Sequence, residues 1–263
     1  MIRTLIFHRK FIWARALADL GNRYAGTGFG ITWNVLQPVF LIGMYALVFS
    51  AVMPVRLGSG SGGSLDYTFY LCSGFLPWMA FCDCIVRGCN AFVANAGYLK
   101  KLPVPEHIFV AEGAASSFIS LLVSFSMLLV LMVITGFTPS LTWLLIPVGL
   151  AALLALGFSV GVFFGTLNVF FRDVSQFLSI ALQLMMWSLP IVYVPSVLPE
   201  GWLRSLLPWH PVLPAISFIR ETTLNGTVPV PEIWIAMTFW SALMFVVAWA
   251  VLRKLGPEIR DVI

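Results

Sequence analysis

Few residues of this sequence have the types and spacing that catalysis requires. The three histidines, His8, His107 and His210, lie near the ends of apolar segments or in the connections between them. An enzyme that hydrolyses bonds within a membrane needs a nucleophile and a base that face each other inside its helix bundle. None of the histidines has that position, so the sequence argues against a Ser–His pair and we predict no catalytic residue.

The acidic residues are equally scattered. Asp83, Glu112 and Asp173 are isolated in sequence, whereas an enzyme that transfers sugars from lipid carriers is expected to cluster acidic residues around a metal ion or as a general base. A proton-coupled transporter usually needs an ionisable residue near the middle of the membrane. The middles of the last four long apolar segments have none, so the sequence disfavours both classes.

The cysteines and glycines do not indicate a cofactor site. Four cysteines crowd into residues 72–89 with no histidine at metal-ligand spacing, which favours small buried residues over a zinc site or disulfides. The phosphate-binding pattern G-x-x-x-x-G-K-[ST] does not occur, and GTGFG at residues 26–30 has no lysine after it. We therefore expect no metal ion or cofactor in this chain.

The composition of the chain indicates that its solvent is lipid. Of the 263 residues, 60% are hydrophobic and only 10% are charged, whereas an average soluble domain has about 25% charged residues. A soluble domain could not bury so much apolar surface, because most of a globular surface meets water. The composition excludes disorder, a coiled coil and a soluble enzyme, and it predicts a membrane protein with several helices.

Six segments are long and apolar enough for transmembrane helices, since a bilayer core of about 30 Å requires about 20 helical residues. Strands of a membrane barrel would alternate polar and apolar residues, and runs such as LLVSFSMLLVLMVI do not. The predicted fold class is an all-α membrane protein with six transmembrane helices. They comprise residues 31–53, 67–86, 108–135, 141–169, 174–194 and 233–252.

The Lys and Arg residues predict the orientation, because cytoplasmic loops carry an excess of them. With a cytoplasmic N-terminus, twelve of the fifteen lie on the cytoplasmic side and only Arg56, Arg204 and Arg220 lie outside. We therefore expect both termini in the cytoplasm.

Three connections have unusual compositions. Residues 11–24 mix apolar and charged side chains in a pattern typical of a helix that lies along a membrane surface. Residues 95–107 form a short basic connection that two prolines stiffen. Residues 195–232 contain seven prolines yet are rich in Trp, Leu and Ile. We predict that they return into the membrane as short helices, near residues 200–207 and 213–225, the second ending at Gly226.

These features describe one transmembrane domain, residues 1–263. Its parts are a cytoplasmic interface helix (1–30), a six-helix bundle (31–252) with a re-entrant segment (195–232), and a cytoplasmic tail (253–263).

Small residues in two segments predict helix packing. Gly157, Gly161 and Gly165 recur every four residues, a spacing that lets two helices approach closely. Ser117, Ser120 and Ser124 are expected to pack in the same way.

Six short motifs follow one another along the chain. They are LGNRYAGTGFGITWNVLQP (20–38), GFLPW (74–78), NAGYLKKLPVPE (95–106), FFRDV (170–174), LPIVY (189–193) and RETTLNG (220–226). In this order they resemble the ABC-2 type permeases that export polysaccharides, over essentially the whole chain. The resemblance is greatest to O-antigen and capsule exporters, with teichoic-acid exporters as near relatives. WHP at residues 209–211 departs from the family, which more often has Asn before the proline.

The resemblance implies a homodimer of six-helix subunits in a bacterial inner membrane. It also implies two separate ATPase subunits, bound on the cytoplasmic side, that use ATP and Mg²⁺. The cargo that it implies is a long glycan attached to a lipid pyrophosphate or phospholipid anchor. The expected partners are a second copy of the chain, two nucleotide-binding ATPase subunits, the lipid-linked polysaccharide and membrane lipids, but not nucleic acid. The chain would not be an enzyme on its own.

Two other functions remain open at this point. An ABC-2 exporter of a drug or small lipid could use the same permease fold. An intramembrane enzyme of glycan assembly would be active without an ATPase.

The basic connection provides candidate contacts for an ATPase subunit, because a short and stiff element can transmit movement. The contact residues would be Tyr98, Leu99, Lys100 and Lys101, with Glu106 as an ion-pair partner. Alternatively, the two lysines serve only the topology of the chain.

Three arginines are candidates for recognition of an anionic lipid head group, since Arg binds phosphate with paired donors. Arg15 and Arg23 lie on the surface helix and Arg172 lies at the end of a span. Alternatively, Arg172 pairs with Asp173 and Arg15 binds bulk anionic lipid.

Aromatic and amide side chains on three helical faces could line a path for a glycan. Each face spans about 40–80° at 100° per residue. The first contains Phe29, Trp33 and Phe40, the second Tyr67, Tyr70, Trp78 and Phe81, and the third Gln176, Gln183 and Trp187. Glutamines in a membrane helix are costly against lipid and should face protein or water. Alternatively, the aromatic residues are interface anchors or core, and the glutamines bond neighbouring helices.

Overall fold

The computed structural model describes residues 1–49, 65–101, 104–195, 201 and 207–263. These residues form helices and connections without a strand. Five helices are long and apolar enough to cross a membrane, and a further apolar helix, Val174–Ser188, has only 15 residues.

The helices are numbered in chain order. They are α1 (Ile2–Phe7), α2 (Arg9–Arg23), α3 (Trp33–Leu47), α4 (Asp66–Ala94), α5 (Ala96–Lys101), α6 (His107–Ile134), α7 (Ile146–Phe170), α8 (Val174–Ser188), α9 (Leu213–Arg220) and α10 (Pro231–Val262). Short 3₁₀ turns, Gly30–Thr32 and Leu141–Leu145, precede α3 and α7, and another lies at Leu207–Trp209.

Two central helices, α4 and α7, pack along each other, and α6 and α10 flank them. The glycines predicted to mediate close packing lie at this contact. A Cβ atom on Gly165 would lie 2.5 Å from the carbonyl oxygen of Gly88, and one on Gly157 would lie 3.1 Å from the ring of Phe81. The prediction is confirmed, and the partner helix is α4 of the same chain.

The four cysteines lie on α4. Cys72, Cys84 and Cys89 are buried, and Cys82 is half-buried. Their interpretation as small core residues is confirmed for the first three.

The amphipathic N-terminal helix is present as α2. Its buried residues, Ile12, Ala16 and Leu20, recur every four positions, so they form one apolar stripe that packs on α6.

Several helix ends differ from the prediction, and α4 continues to Ala94 rather than ending at residue 86. α8 ends at Ser188 rather than at residue 194. Leu189 is extended, with φ −95° and ψ 141°, because Pro190 disfavours helical backbone in the residue before it. At the other end of the chain, α10 continues to Val262, so residues 253–262 prolong the last helix.

The connection between α8 and α10 contains the helix predicted for residues 213–225. It begins as α9 and ends in a π-helical turn, Glu221–Asn225. Gly226 follows with φ 64°, a left-handed conformation that glycine adopts without strain, so the predicted stop is confirmed. Most of the helix predicted near residues 200–207, and the end of the first span, residues 50–53, lie outside the described residues.

Candidate functional site

A cluster of two carboxylates and two guanidinium groups holds α2 against α4. Nη1 of Arg87 lies 2.9 Å from Oδ2 of Asp19, and Nε of Arg87 lies 3.0 Å from Oδ1 of Asp83. Nη2 of Arg23 lies 3.6 Å from Asp19 and 3.5 Å from Asp83. The four charges balance, so the cluster joins the helices without leaving a net charge.

A second ion pair joins α2 to α6. Nε of Arg15 donates a 2.6 Å hydrogen bond to Oε2 of Glu112, and the guanidinium lies 5.3 Å from the ring centroid of Tyr98. This hydrogen bond outweighs the effect of burial and raises the pKa of Arg15 above its ordinary value. Because Tyr98 belongs to α5, this one arginine of α2 contacts both the basic connection and the long apolar helix α6.

The candidate ATPase contacts differ in exposure. Tyr98 is half-exposed, and Lys100 and Lys101 are exposed. Leu99, however, is only 1% exposed, so its side chain anchors α5 to the bundle and is not available at the surface. A direct contact by Leu99 with an ATPase subunit stays a prediction that the burial of Leu99 in this structure does not favour.

Glu106 has a partner within the chain. Its Oε1 accepts a 2.8 Å hydrogen bond from Nε of Arg260, whose Nη2 also donates to the carbonyl of Val104 at 3.0 Å. This pair ties the start of α6 to the end of α10.

The three candidate head-group arginines lie in different surroundings. Arg15 and Arg23 are half-buried and face carboxylates. Arg172 is exposed in the turn between α7 and α8. Of the three guanidinium groups, that of Arg172 is therefore the most accessible to an anion.

Two of the three proposed glycan faces point away from the chain's own core. Phe29 and Phe40 are 63% and 66% exposed, and Trp33 is half-buried with its ring 5.6 Å from that of Phe29. On α8, Gln176, Gln183 and Trp187 are exposed. The opposite side of α8, with Leu178 and Leu182, is buried against the bundle.

The second face is largely buried within the chain, because α4 is one of the two central helices. Tyr67, Trp78 and Phe81 are buried in the core. The hydroxyl of Tyr67 donates to the carbonyl of Val192, so this ring supports the segment after α8. Of this face, only Tyr70 is half-exposed.

Arg220 has an organising role that our sequence reasoning missed. Its Nη1 donates to Tyr70 Oη at 2.9 Å and to the carbonyl of Pro190 at 2.6 Å. Its Nη2 donates to the carbonyls of Tyr70 at 3.2 Å and Ile191 at 3.0 Å, and its Cζ lies 3.8 Å from the centroid of the Tyr70 ring. Arg220 thus clamps α9, α4 and the segment after α8.

The sequence contained a signal for this clamp, because Arg220 is a single charge within the apolar run LPAISFIR. A cation in such surroundings is buried only with partners, and the carbonyls exposed by the break at Pro190 are suitable acceptors.

Comparisons with known proteins give a consistent result. The family described as ABC-2 type transporter matches residues 10–224. An O-antigen export system permease protein RfbA of Klebsiella pneumoniae is 28% identical over 248 residues, which cover 93% of this chain and 92% of that protein. A second RfbA of the same organism is 27% identical over 248 residues, which again cover 93% of this chain and 92% of that protein. The RfbA of Myxococcus xanthus is 24% identical over 251 residues, 95% of this chain and 93% of that protein.

Proposed function

The chain belongs to the ABC-2 type transporter family, and we propose that it is the permease subunit of an ATP-driven exporter of a lipid-linked polysaccharide. The observation that carries the proposal is the similarity to O-antigen export permeases, which extends over 93% of the chain. A similarity of that extent covers the spans, the basic connection and the region of α9 together. The cargo is O-antigen or a capsule-like or teichoic-acid-like glycan.

The proposed arrangement in the membrane is one domain with six spans and cytoplasmic termini. Five long helices and the shorter α8 supply the spans, and the Lys and Arg distribution supports the orientation. α2 lies along the cytoplasmic surface, since one apolar stripe packs on α6 while Phe11, Trp13 and Leu17 are exposed among its charged residues and can contact lipid. α9 forms part of a re-entrant segment, because it is largely buried and apolar.

Energy would come from two separate ATPase subunits bound below a homodimer of this chain. α5 is suited to transmit their movement, since Tyr98, Lys100 and Lys101 are exposed while Leu99 fixes the helix to the bundle. The Arg15–Glu112 pair would pass this movement to α2 and α6.

The lipid head group and the glycan would use different surfaces. For the anionic head group we assign Arg172 as the exposed contact, with Arg15 and Arg23 on α2 as further positive charges. For the glycan we assign the exposed faces of α3 and α8, where aromatic rings can stack on sugars and amides can exchange hydrogen bonds. Two such subunits would enclose a path between them.

Deletion of the gene in its host tests the function directly. We expect loss of the surface glycan and accumulation of lipid-linked glycan on the inner face of the membrane, with full recovery on complementation. Unchanged surface glycan together with increased drug sensitivity would instead support a small-molecule exporter. Glycan synthesis by the purified chain without any ATPase subunit would support an intramembrane enzyme.

A further inference from the structure

An open cavity of about 390 Å³ lies where the C-terminal end of α10 meets the start of α6. α10 contributes Trp249, Arg253, Gly256 and Arg260 to its lining, and Glu106 lies at the start of α6. The volume falls within the range of about 300–1,000 Å³ that is usual for small-molecule sites. Because Arg253 and Arg260 are exposed, a ligand can enter the cavity from the surface and reach both guanidinium groups.

The charges of the lining favour an anion. Among the described residues that line the cavity, Glu106 is the one carboxylate, and it already accepts a 2.8 Å hydrogen bond from Nε of Arg260. Arg253 has no carboxylate partner in the described part of the chain, and its Cζ lies 5.5 Å from the centroid of the Trp249 ring. One positive charge therefore remains at Arg253, and its guanidinium can donate paired hydrogen bonds to a phosphate group.

The face of α10 that carries Arg253 continues towards the N-terminus of the helix as an apolar stripe. Phe239, Val246 and Trp249 are exposed, and each lies within about 40° of Arg253 at 100° per residue. α10 is long and apolar enough to cross a membrane, and Trp is typical of the boundary between membrane and water. The change from Trp249 to Arg253 therefore lies at that boundary. An amphiphile with an anionic head group fits this face, whereas a soluble anion would leave the stripe uncovered.

The pairing of Glu106 distinguishes between anionic and zwitterionic lipids. A phosphoethanolamine carries an ammonium group beside its phosphate, and the carboxylate that could meet this group is already bound to Arg260. The ammonium group would therefore be repelled by two guanidinium groups. A glycerol phosphate adds only neutral hydroxyl groups to its phosphate, so it keeps the attraction without this repulsion.

We propose that this cavity binds the head group of one anionic phospholipid of the phosphatidylglycerol type. The phosphate oxygens accept from the guanidinium of Arg253 and from those N–H groups of Arg260 that Glu106 and the carbonyl of Val104 leave unused. The acyl chains lie outside the cavity, along the apolar stripe of α10. The bound lipid thereby joins the end of α10 to the start of α6.

The test counts lipids on the purified full-length chain by native mass spectrometry. The wild type is expected to retain one phosphatidylglycerol per chain. Arg253→Gln should lower retention about tenfold, since a hydrogen bond to a charged group is lost. Lys254→Gln is the matched control, because it removes the same charge from an exposed neighbour that does not line the cavity. Equal losses from the two variants would indicate general attraction to a basic surface and would overturn the proposal.

Gly256→Leu tests the cavity itself with every charge retained. A Cβ atom on Gly256 would meet nothing within 4 Å, so the helix accepts the leucine and its side chain occupies space in the cavity. Retention of phosphatidylglycerol should again fall about tenfold. Unchanged retention would place the lipid elsewhere and overturn the proposal.

Competition on the wild-type chain tests the head-group chemistry without any variant. Phosphatidylglycerol should displace the bound lipid about tenfold better than phosphatidylethanolamine with identical acyl chains. Equal displacement by the two lipids would overturn the proposal. So would displacement by inorganic phosphate at the same concentration, which would indicate a site for a free anion. The inference is independent of glycan export, since none of these measurements requires transport.

Discussion

Gly88 of α4 and Gly161 of α7 meet backbone to backbone. A Cβ atom on Gly88 would lie 2.7 Å from the Cα atom of Gly161, and one on Gly161 would lie 3.1 Å from the Cα atom of Gly88. Because both obstructing atoms belong to the backbone, no side-chain rotation can make room. The contact of the two central helices therefore depends on the absence of a side chain at both positions.

Gly88→Ala should destabilise the chain, because the two helices must separate to admit the methyl group. We expect a cost of about 1–3 kcal/mol, visible as a melting temperature lowered by several degrees in detergent. Gly43→Ala is the control, since Gly43 lies in α3 and a Cβ there meets nothing within 4 Å. Equal melting temperatures of the two variants would contradict this backbone contact between α4 and α7.

The Arg15–Glu112 pair should be coupled energetically as well as in space. Both side chains are partly buried, with exposures of 31% and 14%, so solvent screening limits the coupling to about 1 kcal/mol. Arg15→Gln and Glu112→Gln should each loosen α2 and expose it to limited proteolysis.

The charge-reversed double variant, Arg15→Glu with Glu112→Arg, should recover part of the protection of α2. Lys10→Gln serves as the control, because Lys10 is exposed on the same helix. If the reversed pair is digested as fast as the single variants, then the pair does not hold α2.

The clamp by Arg220 should not tolerate a lysine. A single ammonium group cannot reach all the acceptors that the planar guanidinium serves, and each charged hydrogen bond left unmade costs about 1.5–3 kcal/mol. Arg220→Lys is therefore expected to lower the melting temperature and to abolish export.

Gly74 provides a second test of the same clamp. A Cβ atom on Gly74 would lie 2.6 Å from Nη2 of Arg220, so Gly74→Ala should displace the guanidinium. In an Arg220→Ala background the same substitution should cost little. Additive effects of the two changes would show that the residues act separately.

The sequence predicts the helical class, most helix positions and the packing glycines, because these depend on local apolar composition and spacing. It does not predict which helix is central, and for that reason the aromatic face of α4 suggests a path in the sequence, whereas Tyr67, Trp78 and Phe81 are buried in the structure. Burial depends on neighbours that are distant in sequence. The same holds for Leu99, whose surroundings come from other helices.

The exposed face of α8 should line the glycan path. Two glutamines on an exposed helical face are costly against lipid, and Gln176, Gln183 and Trp187 lie within about 40° of one another. In the assembled exporter this face should therefore meet water, the cargo or the second subunit. Replacement of Gln183 and Trp187 by Leu should reduce surface glycan at least tenfold, while the ATPase subunits still copurify and still hydrolyse ATP.

Phe177→Leu supplies the control for this double variant. Phe177 is 65% exposed, about as much as Trp187. It lies about 100° around α8 from Gln176, so its side chain points away from the face proposed for the glycan. Its replacement should leave export unchanged, because a lipid-facing leucine is as favourable as a phenylalanine. Loss of ATPase copurification in the double variant would assign the face to assembly. Normal glycan export from an intact complex would remove α8 from the wall of the path.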